Sequence, residues 1–113
     1  MYPAYLLLGP ETGQKSQEIK NIRQACADEF GAPPELYRFY PFETEQGEIL
    51  QVLRNQSLFA EHSLVILSQA ESLNASQVKM IAEYLEKPSP SATLVIISAE
   101  SRISKKIEKC IDR

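Results

Sequence analysis

The chain is poor in the residues that build metal and redox sites. It has two cysteines and one histidine in 113 residues. Cys26 and Cys110 lie far apart and form no CxxC pair. His62 has no second histidine with which to share a metal ion. These scarcities argue against a zinc module, a redox dithiol and a disulfide scaffold. The cysteines read as two free thiols in a reducing cytoplasm, and no metal or other cofactor is expected.

An excess of positive charge is also missing. Lysine and arginine number 12 against 15 aspartates and glutamates, for a net charge of −3 and a pI near 5.2. Nucleic-acid-binding domains usually offer a basic patch, so direct DNA contact by this chain is not expected. Long apolar runs are absent: the longest is only the length of a strand, and Met1-Tyr2-Pro3 lacks the basic start of a signal peptide. No membrane span or leader is therefore expected. Internal repeats and low-complexity linkers are lacking too. What is present is ordinary globular material, 43% hydrophobic and 24% charged, enough for one domain with a modest core.

Patterning gives the order of elements. Residues 4–8, AYLLL, form an apolar run closed by Gly9-Pro10 and read as a buried strand. Ile19, Ile22, Cys26 and Phe30 recur at helical spacing over residues 14–30, and Gly31 with Pro33-Pro34 stops that helix. Residues 36–40, LYRFY, alternate and are aromatic-rich, as in a strand. Thr44 is an N-cap candidate for a helix carrying Ile49, Leu50 and Leu53 and ending near Asn55. Residues 64–67, LVIL, form a third strand. A helix over 75–87 follows, broken by Pro88 and Pro90, and then a fourth strand at 93–97, TLVII. Ile103, Ile107 and Ile111 start a last amphipathic helix that runs to Arg113, as in a cut through a longer protein. Wholly apolar strands alternating with helices imply an α/β fold, a mostly parallel sheet with helices on its faces.

After the first strand comes Gly9-Pro10-Glu11-Thr12-Gly13-Gln14-Lys15-Ser16. Gly9, Lys15 and Ser16 fit the phosphate-binding pattern G-x-x-x-x-G-K-[ST], in the right strand–loop–helix context. Gln14 stands where the second glycine is required, at a point where backbone must approach phosphate with no side chain in the way. Glu11 adds a negative charge where phosphate would sit. A nucleotide hydrolase also needs a carboxylate at the end of a neighbouring strand to orient Mg²⁺. The strand Leu64–Leu67 ends in Ser68-Gln69 instead, and Glu71 is placed further on, facing a loop. The loop reads as a degenerate phosphate site, with Lys15 and Ser16 on a solvated first helical turn.

The segment from Arg54 to His62 joins a helix to a buried strand. Joining segments run over the surface and are usually polar. Leu58-Phe59 is therefore an unusual pair there. Two readings fit: the pair tucks under the domain edge, or it anchors a partner by burying about 2–4 kcal/mol of apolar surface.

The whole chain resembles the N-terminal domain of the delta subunit of the bacterial DNA polymerase III clamp loader. The most specific stretch is Gln56-Ser57-Leu58-Phe59-Ala60-Glu61 followed by the strand Leu64–Leu67. The opening strand with its glycine, the aromatic strand Leu36–Tyr40 and the helix leading to Lys87-Pro88 add to it. The resemblance implies an AAA+-like, Rossmann-like three-layer core without a working nucleotide site, in agreement with the loop chemistry. It implies that residues 1–113 are one such domain, with the lid and collar domains of the family absent.

The resemblance also implies partners. In the family the Leu-Phe pair enters a hydrophobic pocket on the sliding clamp, the beta subunit, within a consensus Q-L-[SD]-L-F. Asn55, Gln56, Ser57, Leu58 and Phe59 align with it. The apolar anchors and Ser57 are kept, while Asn55 and Gln56 depart from the consensus. The delta subunit strains a clamp interface so that the ring opens during DNA replication. It is a non-catalytic subunit of the polymerase holoenzyme, and ATP is bound by other subunits. Its C-terminal region meets the gamma/tau and delta prime subunits. The location implied is cytoplasmic. Two competing readings are a P-loop NTPase fragment that still binds ATP, and a nucleotide-fold scaffold in which Leu58-Phe59 is core.

Overall fold

A computed structural model describes residues 4–9, 12–41, 46–54 and 62–100. The described elements are β1 (Ala4–Leu7), α1 (Thr12–Phe30), β2 (Glu35–Phe39), α2 (Gln46–Arg54), β3 (Ser63–Leu67), α3 (Ala75–Glu86) and β4 (Ala92–Ile97), with a short 3-10 turn at Ala70–Ser72. Each alternating strand and helix read from residues 4–97 is found, with ends shifted by a residue or two. The last helix around Ile103–Ile111, Thr44 and Cys110 lie outside the described residues.

The strand order is β1-β4-β3-β2, and all three pairings are parallel. Periodicity predicts a parallel sheet, but this order needs the tertiary structure, because β1 skips two strands to pair with β4. The central strands explain the unbroken apolar runs. Every residue of β3 is buried, as is every residue of β4 but Ile97. A strand buried on both faces has no solvated side to fill with polar residues.

The two faces carry separate cores. On one, Ile22 and Cys26 of α1 pack on Leu64, Ile66 and Val95. On the other, Ile49 and Leu53 of α2 with Met80, Ile81, Tyr84 and Leu85 of α3 pack on Val65, Leu67, Leu94 and Ile96. Full burial of one such aliphatic side chain contributes about 1.5–3 kcal/mol. β2 has a partner on one side only among the described strands. It buries Tyr37 and Phe39 in part and leaves Leu36 and Arg38 exposed, the alternation its sequence shows.

Local chemistry sets the helix ends. Gly31 takes φ +78° just past α1, and its N–H donates to the Ala27 carbonyl at 2.9 Å. That left-handed turn is cheap only for glycine. α3 begins with a reciprocal cap: Gln77 N–H donates to Asn74 Oδ1 at 2.8 Å, and Asn74 N–H donates to Gln77 Oε1 at 2.9 Å. Gln77 also donates through Nε2 to the Pro41 carbonyl, fastening α3 to the exit of β2.

Candidate functional site

The degenerate phosphate loop lies where the carboxyl ends of the parallel strands open, the usual ligand side of an α/β sheet. Beyond β1, the chain stays laced to the exit of β4. Ser98 N–H donates to the Leu7 carbonyl at 3.0 Å, and Gly9 N–H to the Glu100 carbonyl at 2.9 Å. Gly9 has φ +106°, a backbone conformation that accounts for glycine at this position. Pro10 and Glu11 lie outside the described residues.

Lys15 corrects the sequence expectation of a solvated turn. It is only 8% exposed. Its ammonium donates to the Gly9 carbonyl and, at 2.6 Å, to the Ser98 carbonyl. A buried ammonium needs acceptors, and here the backbone on both sides of the loop supplies them. The group that a nucleotide site would offer to phosphate is instead a brace between the loop and the exit of β4. Its neighbour Gln14 is exposed, and so is Ser16, as expected.

The end of β3 departs further from a metal-binding arrangement. Ser68 is buried, and its hydroxyl accepts from Arg38 Nη1 at 3.0 Å. A cation thus approaches the point where a nucleotide hydrolase would hold Mg²⁺ with a carboxylate. Gln69 then adopts a left-handed conformation, φ 55° and ψ 46°, unusual for a residue with a side chain. This turn leads into the 3-10 turn that carries Glu71. As expected, Glu71 faces a loop: its carboxylate accepts from Ala99 N–H at 3.2 Å. Burial pushes the Glu71 carboxyl up. Backbone N–H groups of Glu71 and Ala99, the Ser98 hydroxyl and the Lys15 charge outweigh that and hold it below its ordinary value. The carboxylate therefore serves the loop leaving β4.

These groups line a cleft of about 320 Å³ that includes Lys15, Ser16, Arg38, Tyr40, Ser68 and Glu71. The volume is at the small end for ligand pockets. Among the described residues, no group of three or more His, Cys, Asp or Glu side chains could hold a metal ion, and no helix is long and apolar enough to cross a membrane.

The sequence-predicted partner residues Asn55, Gln56, Ser57, Leu58 and Phe59 lie outside the described residues. Their flanks do not. On the near side, Arg54 ends α2. Its guanidinium donates to the Lys87 carbonyl at 2.7 Å and sits 4.5 Å from the centre of the Tyr84 ring, so α2 is clasped to the end of α3. On the far side, His62 is 4% exposed. It stacks on Phe30 with ring centres 4.2 Å apart, and its Nε2 lies 2.7 Å from Thr93 Oγ1. The sequence reading placed His62 on a surface connection. The structure buries it, because the residue just before β3 lies against Phe30 at the end of α1 and Thr93 of β4. Both flanks of the segment 55–61 are thus held by packed contacts.

Comparison with known proteins bears on these features. A family model described as DNA polymerase III, delta subunit, matches residues 5–112. The chain belongs to the DNA polymerase III delta-subunit family. A search of the curated proteins found no match. Among solved structures, the chain is similar to the Bacillus subtilis DNA clamp loader delta protein (YqeN). The TM-score is 0.76 at 19% identity, covering 100% of this chain and 36% of that one. It is also similar to the Thermotoga maritima RuvB Holliday junction branch migration motor, with a TM-score of 0.64 at 17% identity, covering 97% of this chain and 36% of that one. This family member thus spans about a third of the length of those structures. Their likeness establishes the fold: a parallel sheet between helical layers, of the Rossmann-like, AAA+-like kind.

Sequence reasoning found Gly9, Gln14, Lys15 and Ser16 as a group but missed the partners of Lys15. Ser98 is 83 residues away, and a carbonyl acceptor leaves no mark in side-chain pattern. Arg38 was hidden because its partner Ser68 lies 30 residues away. Its role depends on β2 lying beside β3.

Proposed function

We propose that this chain is the clamp-facing domain of a clamp-loader delta subunit, binding the sliding clamp and helping its ring to open without hydrolysing ATP. The observation that carries the proposal is the family match across residues 5–112. Lys15 supports the non-hydrolytic part: two of its three ammonium donors go to the Gly9 and Ser98 carbonyls, and Ser68 with Arg38 stands in place of a Mg²⁺-binding carboxylate.

In this reading Leu58 and Phe59 enter an apolar pocket on the clamp, with Ser57 and Gln56 beside them. Fixed flanks at Arg54 and His62 reduce the freedom such a segment loses on docking, which favours affinity. Ring opening then needs no bond chemistry. A domain that binds the strained clamp interface more tightly than the closed one shifts the population toward the open ring, by no more than that difference in affinity. The gamma/tau and delta prime subunits are partners of the whole delta subunit through its C-terminal region, and the setting is the replicating cytoplasm.

The experiment is capture of purified sliding clamp by the chain and by its Leu58→Ala/Phe59→Ala variant, with circular dichroism and urea unfolding on both. Binding by the parent, lost in a variant whose fold and stability are unchanged, supports the reading. A variant that unfolds identifies the pair as core, and undiminished capture by the variant rejects the wedge.

A further inference from the structure

We propose that His62 is an acid-sensitive latch that ties α1 to the amino ends of β3 and β4 when its imidazole is neutral and lets go when the ring takes up a proton. Three contacts define the latch. The ring lies nearly flat on Phe30 of α1, 12° from parallel. Nε2 is within hydrogen-bonding distance of Thr93 Oγ1 on β4. The His62 carbonyl accepts from Glu35 N–H of β2 at 3.0 Å. One residue thus joins a helix and two strands immediately before β3 begins.

The other ring nitrogen makes this a switch. Nδ1 is buried and has no hydrogen-bonding partner among the described residues. Thr93 also bonds Cys26 on α1. The arrangement that satisfies all three groups has the Thr93 hydroxyl donating to the Cys26 sulfur and accepting from Nε2–H. Nδ1 is then the bare nitrogen, the one that a proton must occupy. Protonation there buries an N–H donor with no described acceptor, together with a charge, a costly state in a low-dielectric interior. The inexpensive solution is for the ring to swing out to water, which breaks the Phe30 stack and the Thr93 contact together.

The groups that face the ring can be named by element. From α1 they are Cys26 and Glu29. Burial pushes the Cys26 thiol up, the Thr93 hydrogen bond pulls it down, and Glu29 raises it further. From β2, Glu35 meets His62 through its backbone N–H, while its carboxylate accepts from the Tyr37 hydroxyl. β3 and β4 carry no titratable side chain. Glu29, the nearest opposing charge, favours the protonated ring. Burial outweighs it and holds His62 below its ordinary value of 6.5. The folded chain therefore takes up this proton at lower pH than the unfolded chain. The stability it contributes is complete above about pH 6.5 and is lost progressively as the pH falls below that.

His62 is the only histidine of the chain, so its imidazole can be followed by proton–nitrogen NMR in the intact protein. The expected result is the Nε2–H tautomer at neutral pH and a midpoint below 6.5. Phe30 and Thr93 resonances should change with that same midpoint. A ring that titrates at or above 6.5, or that titrates while Phe30 and Thr93 stay unmoved, overturns the latch. In urea unfolding, the unfolding constant of the parent should rise below pH 6.5 by up to about tenfold per pH unit more than that of His62→Gln. Glutamine retains a donor for Thr93 but does not titrate. Equal pH dependence in the two proteins also overturns the latch. If His62→Gln fails to fold, the NMR titration of the parent decides alone.

Discussion

Replacing Lys15 with methionine separates a structural lysine from a phosphate-binding one. Lys15→Met keeps a side chain of similar length to pack along α1 and deletes the ammonium. The Gly9 and Ser98 carbonyls then lose their charged donor. Hydrogen bonds to charged groups contribute about 1.5–3 kcal/mol each. Part of that is offset, because the folded chain no longer has to desolvate a cation. The net expectation is a loss of about 2–4 kcal/mol, a large fraction of the stability of a small domain. With a urea slope near 2 kcal/mol/M, the unfolding midpoint should fall by roughly 1–2 M with the slope unchanged. A solvated lysine on a first helical turn predicts a change within about 0.5 kcal/mol. A midpoint shift that small would refute the brace.

Three further expectations concern other parts of the molecule. Isothermal titration with Mg²⁺-ATP should give no heat of binding, since Lys15 is engaged internally and Arg38 occupies the hydroxyl of Ser68; micromolar, Mg²⁺-dependent binding would restore the nucleotide-binding reading. Asn74→Ala removes one half of the α3 cap and should cost about 1 kcal/mol in urea or thermal unfolding, with Asn74→Asp close to neutral. Loss of clamp capture by Leu58→Ala/Phe59→Ala, with stability retained, tests the proposed wedge.

How far the sequence could be read follows from the range of each interaction. The strands β3 and β4 were legible because burial on both faces demands unbroken apolar runs. The end of α1 was legible because Gly31 and two prolines act over one turn of chain. The departure from the phosphate pattern was legible at Gln14, since the pattern asks for glycine there to let backbone approach phosphate. The position of Lys15 was not. Its spacing is that of a phosphate lysine, and only the pairing of β1 with β4 brings the Ser98 carbonyl to it. His62 misled for a related reason. Polarity and a place in a connecting segment indicate surface, but the fold sets His62 itself against Phe30 and Thr93.

By itself, then, the sequence determined the alternation of strands and helices, the parallel class of the sheet, the loss of the second loop glycine and the Leu58-Phe59 pair set among polar neighbours. These depend on periodicity, on backbone sterics and on hydrophobicity, all of which act over a few residues. The tertiary structure alone decided the order β1-β4-β3-β2, the inward turn of Lys15, the pairing of Arg38 with Ser68 and the clasps at Arg54 and His62. Each of these joins groups remote in the chain, several of them through backbone carbonyls, and no residue type announces which carbonyl will be its neighbour.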